Sequence, residues 1–403
     1  MEKIDHQIGI GCLEITDKEK EYVMDTLDKK RLSHGPYLTK LENTIASLHG
    51  CKYGISMNSG TSALRTAVAC LKETEGWKDG DEILVPAVTF IATSNVIISN
   101  GLKPVFVDVE PDYYNIDPAK IEEKITERTK GMIIVHQFGL ACDMDPIMEL
   151  VRKHKLKLIE DTCETMFVGY GGKPVGSFAD ISCFSTYVAH LITTGVGGIA
   201  TTNNPEYAVI LKSLANHGRD SIYINIDDDR TSDEKKLFDI VERRFKFVRL
   251  GYSYRITEME GAIGVAQLER KDEILRKRQN NAAYLTEHLK QYGDFIQLPA
   301  TRPKCEHAFM MYPIVVKAGS FTKRDIVNFL EKNNIETRDM NPLINQPVYI
   351  RLFGNIEDQY PVSKWINENG FYIGCHQEIT QKELEYIIIK FGEFFAQLKN
   401  TGV

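Results

Sequence analysis

At 403 residues the chain is long enough for two domains, each with a sizeable core. Its 43% apolar and 26% charged residues are the proportions of an ordinary soluble globular protein. A net charge of −7 argues against nonspecific nucleic-acid binding, which needs a basic face, but leaves a small anionic substrate open.

The opening residues, Met1-Glu2-Lys3-Ile4-Asp5-His6-Gln7, are charged and lack an apolar signal core. No uncharged apolar run reaches the length needed to span a bilayer, so the expectation is a cytoplasmic protein without membrane contact.

In chain order, the pattern predicts a helix over 61–74, a strand over 81–87, a helix over 92–100 and a strand over 104–109. A helix over 118–126, a strand over 132–138, a helix over 145–153 and a strand over 155–161 follow. Strands over 181–185 and 198–202 complete the series. The strands are short, rich in β-branched residues and bounded by Gly, Pro or Asp, as in a largely parallel sheet buried on both faces. Pro118 and Pro146 sit near helix starts, where proline is tolerated. This alternation is the α/β pattern.

Residues 220–236, with Asp227-Asp228-Asp229-Arg230, read as a solvated excursion rather than an acidic metal site. From about residue 251 one long helix is expected over 258–277 and on toward 290. The remainder, with a strand-like run at 311–316 and a last helix near 382–398, reads as a smaller α+β unit. The expected division is a large domain over 1–250 and a small one over 251–403.

The eight cysteines are scattered, with no C-x-x-C or C-x-C pair. They read as reduced, mostly buried thiols, and argue against a disulfide framework, a zinc site or an iron–sulfur cluster.

Four motifs could carry chemistry. Asn58-Ser59-Gly60-Thr61-Ser62-Ala63-Leu64 is a glycine turn opening a helix, suited to a phosphate but equally a good helix cap. Ile159-Glu160-Asp161-Thr162-Cys163-Glu164 ends an apolar strand, where open α/β sheets bind ligands. Asp161 could pair with a protonated ring nitrogen there, although a lone aspartate is more often a turn or cap residue. The run from Ser182 to Gly198 places Ser185 five residues before His190, and a lone histidine is more often structural than catalytic. Leu250-Gly251-Tyr252-Ser253-Tyr254-Arg255-Ile256-Thr257-Glu258 reads as a loop, then a helix capped by Thr257.

Taken in order, these motifs resemble the DegT/DnrJ/EryC1/StrS family of pyridoxal phosphate (PLP)-dependent sugar aminotransferases and dehydratases. Pro86-Ala87-Val88-Thr89-Phe90-Ile91-Ala92 and Val135-His136-Gln137-Phe138-Gly139 fall in the family's order as well. The resemblance runs from about residue 8 to the C-terminal helix. It implies fold-type I: a three-layer α/β/α large domain with a mostly parallel sheet and a smaller α+β domain.

It also implies roles. Gly60, Thr61, Ser62 and Ser185 would bind the cofactor phosphate, Phe90 would stack on its ring, and Asp161 would pair with the ring nitrogen. Glu164 would lie by the ring's 3-hydroxyl. Family members are homodimers in which the G-Y-N-Y-R loop reaches the partner's site. Here Ser253 replaces the asparagine by which that loop reaches the phosphate, and would donate one hydrogen bond to the cofactor in its place; Gly195-Val196-Gly197-Gly198 replaces the family's Gly-Glu-Gly-Gly.

The family's cofactor lysine is here His190, as in the sugar 3-dehydratase branch. An imidazole carries protons but cannot form a Schiff base. The leading expectation is therefore a nucleotide-sugar 3-dehydratase acting on a 4-keto-6-deoxyhexose in deoxysugar or polysaccharide biosynthesis. It would use PLP and pyridoxamine phosphate (PMP), with glutamate as amino donor and His190 as acid/base. The scattered cysteines favour the branch without an iron–sulfur centre. The alternatives are a nucleotide-sugar aminotransferase and a lysine-less homologue with a binding or regulatory role. His307, Arg338 and His376 stand as candidate substrate contacts by position in the resemblance, and no metal site is expected.

Overall fold

The structure, a computed structural model, describes residues 3–220, 233–243, 245–317, 319 and 321–400. The aspartate run of the expected excursion, 227–229, lies outside the described residues.

The chain begins with α1 (Asp17–Asp28), α2 (Pro36–Leu48), β1 (Tyr53–Met57) and α3 (Gly60–Glu75). It continues through β2 (Glu82–Pro86), α4 (Ile91–Ser99), β3 (Lys103–Val107), β4 (Thr129–Val135), α5 (Met144–His154) and β5 (Lys157–Asp161). A two-stranded hairpin, β6 (Gly169–Tyr170) and β7 (Lys173–Pro174), precedes β8 (Ile181–Ser185), β9 (Gly198–Thr202), α6 (Pro205–Ala215) and α7 (Glu234–Arg243). Then come α8 (Glu258–Glu269), α9 (Lys271–Leu289), β10 (Ile296–Gln297), β11 (Tyr312–Val316) and α10 (Lys323–Lys332). The last elements are β12 (Thr337–Asp339), α11 (Pro347–Phe353), α12 (Pro361–Asn369), β13 (Gly370–Ile373) and α13 (Gln381–Asn400).

Seven strands form one sheet in the order β1-β9-β8-β5-β4-β2-β3. The pairs from β3 across to β8 are parallel, and β9 runs antiparallel to both its neighbours. Strand periodicity divides the apolar side chains between two faces. Ile83, Val85, Ile133, Ile159 and Cys183 pack under α3, α4 and α6. Leu84, Met132, Ile134, Leu158 and Phe184 pack against α2, α5 and α8. Three layers result, as the resemblance implied.

Local chemistry sets the helix ends. Ser59 caps α3 by accepting from the Ser62 N–H, and Gly76 closes it in the left-handed region at φ 67°. Thr16 with Glu19, and Thr257 with Glu260, form capping boxes at α1 and α8.

Four strands, β10-β11-β13-β12, build the second sheet, which packs with α9, α10 and α13. Ile4 and Ile8 join that core from the other end of the chain. Two expectations shift and one strand is new. The helix over 118–126 is two 3₁₀ turns, Pro118–Lys120 and Glu122–Lys124. β1, over Tyr53–Met57, lies outside the strands expected from the pattern. The long helix breaks at Arg270 (φ −111°, ψ 5°), so α8 packs on the large sheet's helices and α9 in the second core.

Candidate active site

At the C-terminal ends of β4, β5 and β8 lies a cavity of about 420 Å³, where strand ends and loops leave a crevice. Met310, Met311, Asn341 and Tyr372 close it from the second sheet's side. Gly60, Thr61, Phe90, Asp161, Glu164, Ser185 and His190 all line it, gathered from across the first half of the chain.

One end is the N-terminus of α3. A Cβ at Gly60 would come within 2.8 Å of Cys163 Sγ and 2.9 Å of Ser185 Cβ, so only glycine lets the helix start this close to β8. Ser185 and Thr61 bring hydroxyls to the same end, beside N–H groups that carry the helix's positive pole. Ser62 does not line the cavity. Its Oγ donates to Asn58 Oδ1 at 2.7 Å and meets Ser59 Oγ at 2.9 Å, so this hydroxyl serves the turn itself.

The middle holds two buried carboxylates. Asp161 accepts from Thr93 Oγ1 (2.8 Å) and from the Cys163 N–H (3.1 Å), with Thr89 Oγ1 2.9 Å behind Thr93. Burial raises its carboxyl above the usual aspartate range despite these donors. Glu164 accepts from the Phe138 N–H (2.8 Å) and Asn341 Nδ2 (2.9 Å). Burial, with Asp161 nearby, pushes it up to about 7. Phe90, at the N-cap of α4, leaves its ring 60% exposed on the cavity.

His190 sits in the loop between β8 and β9. Its Nδ1 lies 3.2 Å from the Ser185 carbonyl oxygen, which can only accept. Nδ1 therefore carries the hydrogen, and Nε2 keeps its lone pair. Burial pushes the imidazole down to about 4, and the Arg278 guanidinium adds to the effect. No lysine is among the described residues lining the cavity.

Ser253 lies outside this cavity, bridged to Asn216 and accepting from Arg255 Nη2 at 3.3 Å. His307 and His376 are buried off the lining as well, His307 stacked 3.8 Å from the Phe309 ring. Arg338 pairs with Glu336. Thr93, Asn341 and Tyr372 were not singled out from the sequence. Thr93 had a signal in its spacing, one turn after Thr89, but the other two reach the site only through tertiary contacts.

The residues fit PLP. A helix N-terminus with two hydroxyls suits a phosphate, and a raised, under-satisfied Asp161 asks for a cation such as a pyridinium. Phe90 offers an open ring face. Together the fold and the cavity define a fold-type I cofactor enzyme.

Comparison with known proteins names the family. The model of the DegT/DnrJ/EryC1/StrS aminotransferase family matches residues 13–391, and the chain belongs to that family. It is 32% identical over 385 residues to GDP-perosamine synthase of Caulobacter vibrioides, covering 95% of this chain and 96% of that one. It is 29% identical over 377 residues to GDP-4-keto-6-deoxy-D-mannose 3-dehydratase of Escherichia coli O55:H7, covering 92% and 96%. The solved E. coli GDP-4-keto-6-deoxy-D-mannose-3-dehydratase with bound hydrated PLP superposes with a TM-score of 0.85 at 27% identity, covering 96% of this chain and all of that one. The protein is thus a PLP-dependent enzyme of a family of sugar aminotransferases and dehydratases. Among the described residues no helix is long and apolar enough to cross a membrane.

Proposed function

We propose that this enzyme is a nucleotide-sugar 3-dehydratase acting on a 4-keto-6-deoxyhexose, with His190 as its acid/base. The observation that carries the reading is the tautomer of His190: Nδ1–H is engaged with the Ser185 carbonyl, so Nε2 is a base at a cavity wall that lacks a lysine.

Bound there in its pyridoxamine form, the cofactor supplies an amino group for the sugar's carbonyl and a ring that accepts electrons. The N-terminus of α3, Thr61 and Ser185 hold its phosphate. Phe90 covers the ring, and Asp161 keeps the ring nitrogen protonated. Glu164, pushed up to about 7, can donate or accept a hydrogen bond at the ring's 3-oxygen. Nε2 of His190 takes up a proton as the reaction starts and delivers one to the departing C3 hydroxyl. Overall the sugar loses one oxygen, while glutamate is oxidised to 2-oxoglutarate and ammonia leaves, which balances atoms and electrons.

We extend the proposal to a cytoplasmic homodimer of two-domain chains, in which the expected division at 250/251 moves to the break at Arg270 because α8 packs in the large core. The exposed run of Phe247, Val248 and Leu250, the last 95% exposed, supports a covered face and would carry Ser253 toward the partner. Light scattering on the holoenzyme tests it, and a monomer would overturn it.

Similarity to GDP-perosamine synthase favours a second reading, transamination at C4. The test is incubation with PLP, glutamate and GDP-4-keto-6-deoxymannose, read by mass spectrometry. Loss of oxygen supports dehydration, whereas an amino-sugar product overturns it.

A further inference from the structure

Helix α9 turns three polar side chains inward. Arg278 Nη1 donates to the Met310 carbonyl at 2.8 Å and to that of Phe309 at 3.4 Å, and its Nη2 donates to the His190 carbonyl at 3.4 Å. Gln279 Nε2 holds the His307 carbonyl at 3.1 Å, and Asn281 Nδ2 that of His376 at 2.8 Å. Gln279 and Asn281 show that neutral amides suffice to tie α9 to carbonyls. At the one position that reaches the His190 loop the donor is instead a cation, wholly buried and without a carboxylate partner among the described residues. Burying a charge without a counter-charge is costly, so its presence calls for a reason beyond packing.

We propose that Arg278 is the positioning residue of the His190 loop, tying that loop to the Met310 wall of the cavity and setting a fixed positive charge at its back. The inference rests on the reading of His190 as the acid/base.

The surroundings leave this charge unopposed. Cys12 on the N-terminal segment and Cys375 after β13 sit near it, with burial holding their thiols up at about 11 and about 12. His376, held down to about 4, is neutral as well. On the cavity side, the titratable groups lining the same space as His190 are Asp161, Cys163 and Glu164 after β5, Tyr187 on its own loop and Tyr372 on β13. None of these is hydrogen-bonded to the imidazole, whose one bond goes to Ser185. Burial does most to hold the imidazole down, and a cation behind it disfavours protonation further, so Nε2 stays unprotonated well below the ordinary histidine range.

The test is a ring-NMR titration of the full-length enzyme labelled at histidine, with the His190 signal assigned by its loss in His190→Asn. In Arg278→Met the His190 midpoint rises by about one unit. Arg278→Lys, which keeps the charge, leaves it within a few tenths of wild type. The acid limb of kcat moves with the midpoint, while KM for the sugar stays within about twofold. If Arg278→Met does not fold, Arg278→Gln, which keeps a donor for Met310 without the charge, carries the same expectation. A folded, uncharged variant with an unmoved midpoint overturns the inference. An amino-sugar product with the shift intact overturns the dehydratase reading and leaves this inference standing.

Discussion

Glu160 and Asp161 are neighbours on β5, yet they face opposite sides of the sheet and live in opposite chemistry. Glu160, on the closed side, accepts from His136 Nε2, the N–H groups of Gly176, Phe178 and Ala179, and Ser182 Oγ, all within 3.1 Å. These donors outweigh burial and lower its carboxyl range. Asp161, on the cavity side, has Thr93 and one N–H, and burial wins. A buried carboxylate with every lone pair matched builds the fold. One left short of donors waits for a ligand. The difference lies in the count of donors, since burial is nearly the same for both.

The comparison can be broken at four points. Glu160→Ala strands five donors around a vanished acceptor and should cost about 3–5 kcal/mol in chemical denaturation. A loss under about 1 kcal/mol would mean that the closed side is not held by this carboxylate.

Asp161→Asn should lower kcat by on the order of 10²–10³-fold through the lost ion pair while the fold survives. Its stability should also carry a pH signature. The raised carboxyl of Asp161 means that the folded chain keeps a proton the unfolded chain has released, so wild type loses stability as pH rises above 3.8. Asp161→Asn removes that loss and gains on wild type through this window. Glu160 has the opposite sign: its contribution is present above 4.5 and is lost as pH falls through its lowered range. Unfolding curves across pH for both variants would show crossing trends, and parallel trends would erase the distinction.

Ser185→Ala should weaken PLP by about 1.5–3 kcal/mol, the worth of a hydrogen bond to a charged group, measured by fluorescence titration. Ser62→Ala should leave cofactor affinity nearly unchanged and cost about 1 kcal/mol of stability, because that hydroxyl serves the turn. Equal effects of the two serines on PLP would place Ser62 back at the phosphate.

The sharpest sequence signals were those with a local cause. The strands 181–185 and 198–202 were legible residue for residue, and the other strands of the large sheet except β1 within a few positions, because Gly, Pro and Asp bound apolar runs. Seven of the nine expected site residues meet in one cavity, since most sit at or just past a strand end or helix start that a motif marks, and His190 follows on the loop after β8. Ser62 does not, as its hydroxyl is claimed by Asn58 and Ser59, and Ser253 lies on the loop that the resemblance sends to the partner's site. The break at Arg270 was hidden because no Gly or Pro marks it, and its cause is which core each half joins. Asn341, Tyr372 and Arg278 were invisible for a similar reason: their meaning comes from residues more than eighty positions away.

Ile8 pairs with Ile335, the Ile10 N–H donates to Glu336 Oε2 at 2.9 Å, and a Cβ at Gly11 would press within 2.9 Å of the Ala189 backbone, next to His190. The partners of this opening segment at Ile335 and Glu336 emerge from the ribosome more than three hundred residues after it, long after Ala189 does. The wall beside His190 is therefore among the last parts of the molecule to close, after the sheet beneath it can already have formed. A nascent chain stalled before residue 335 would hold most of its cofactor cradle but would lack the strap that seats the histidine.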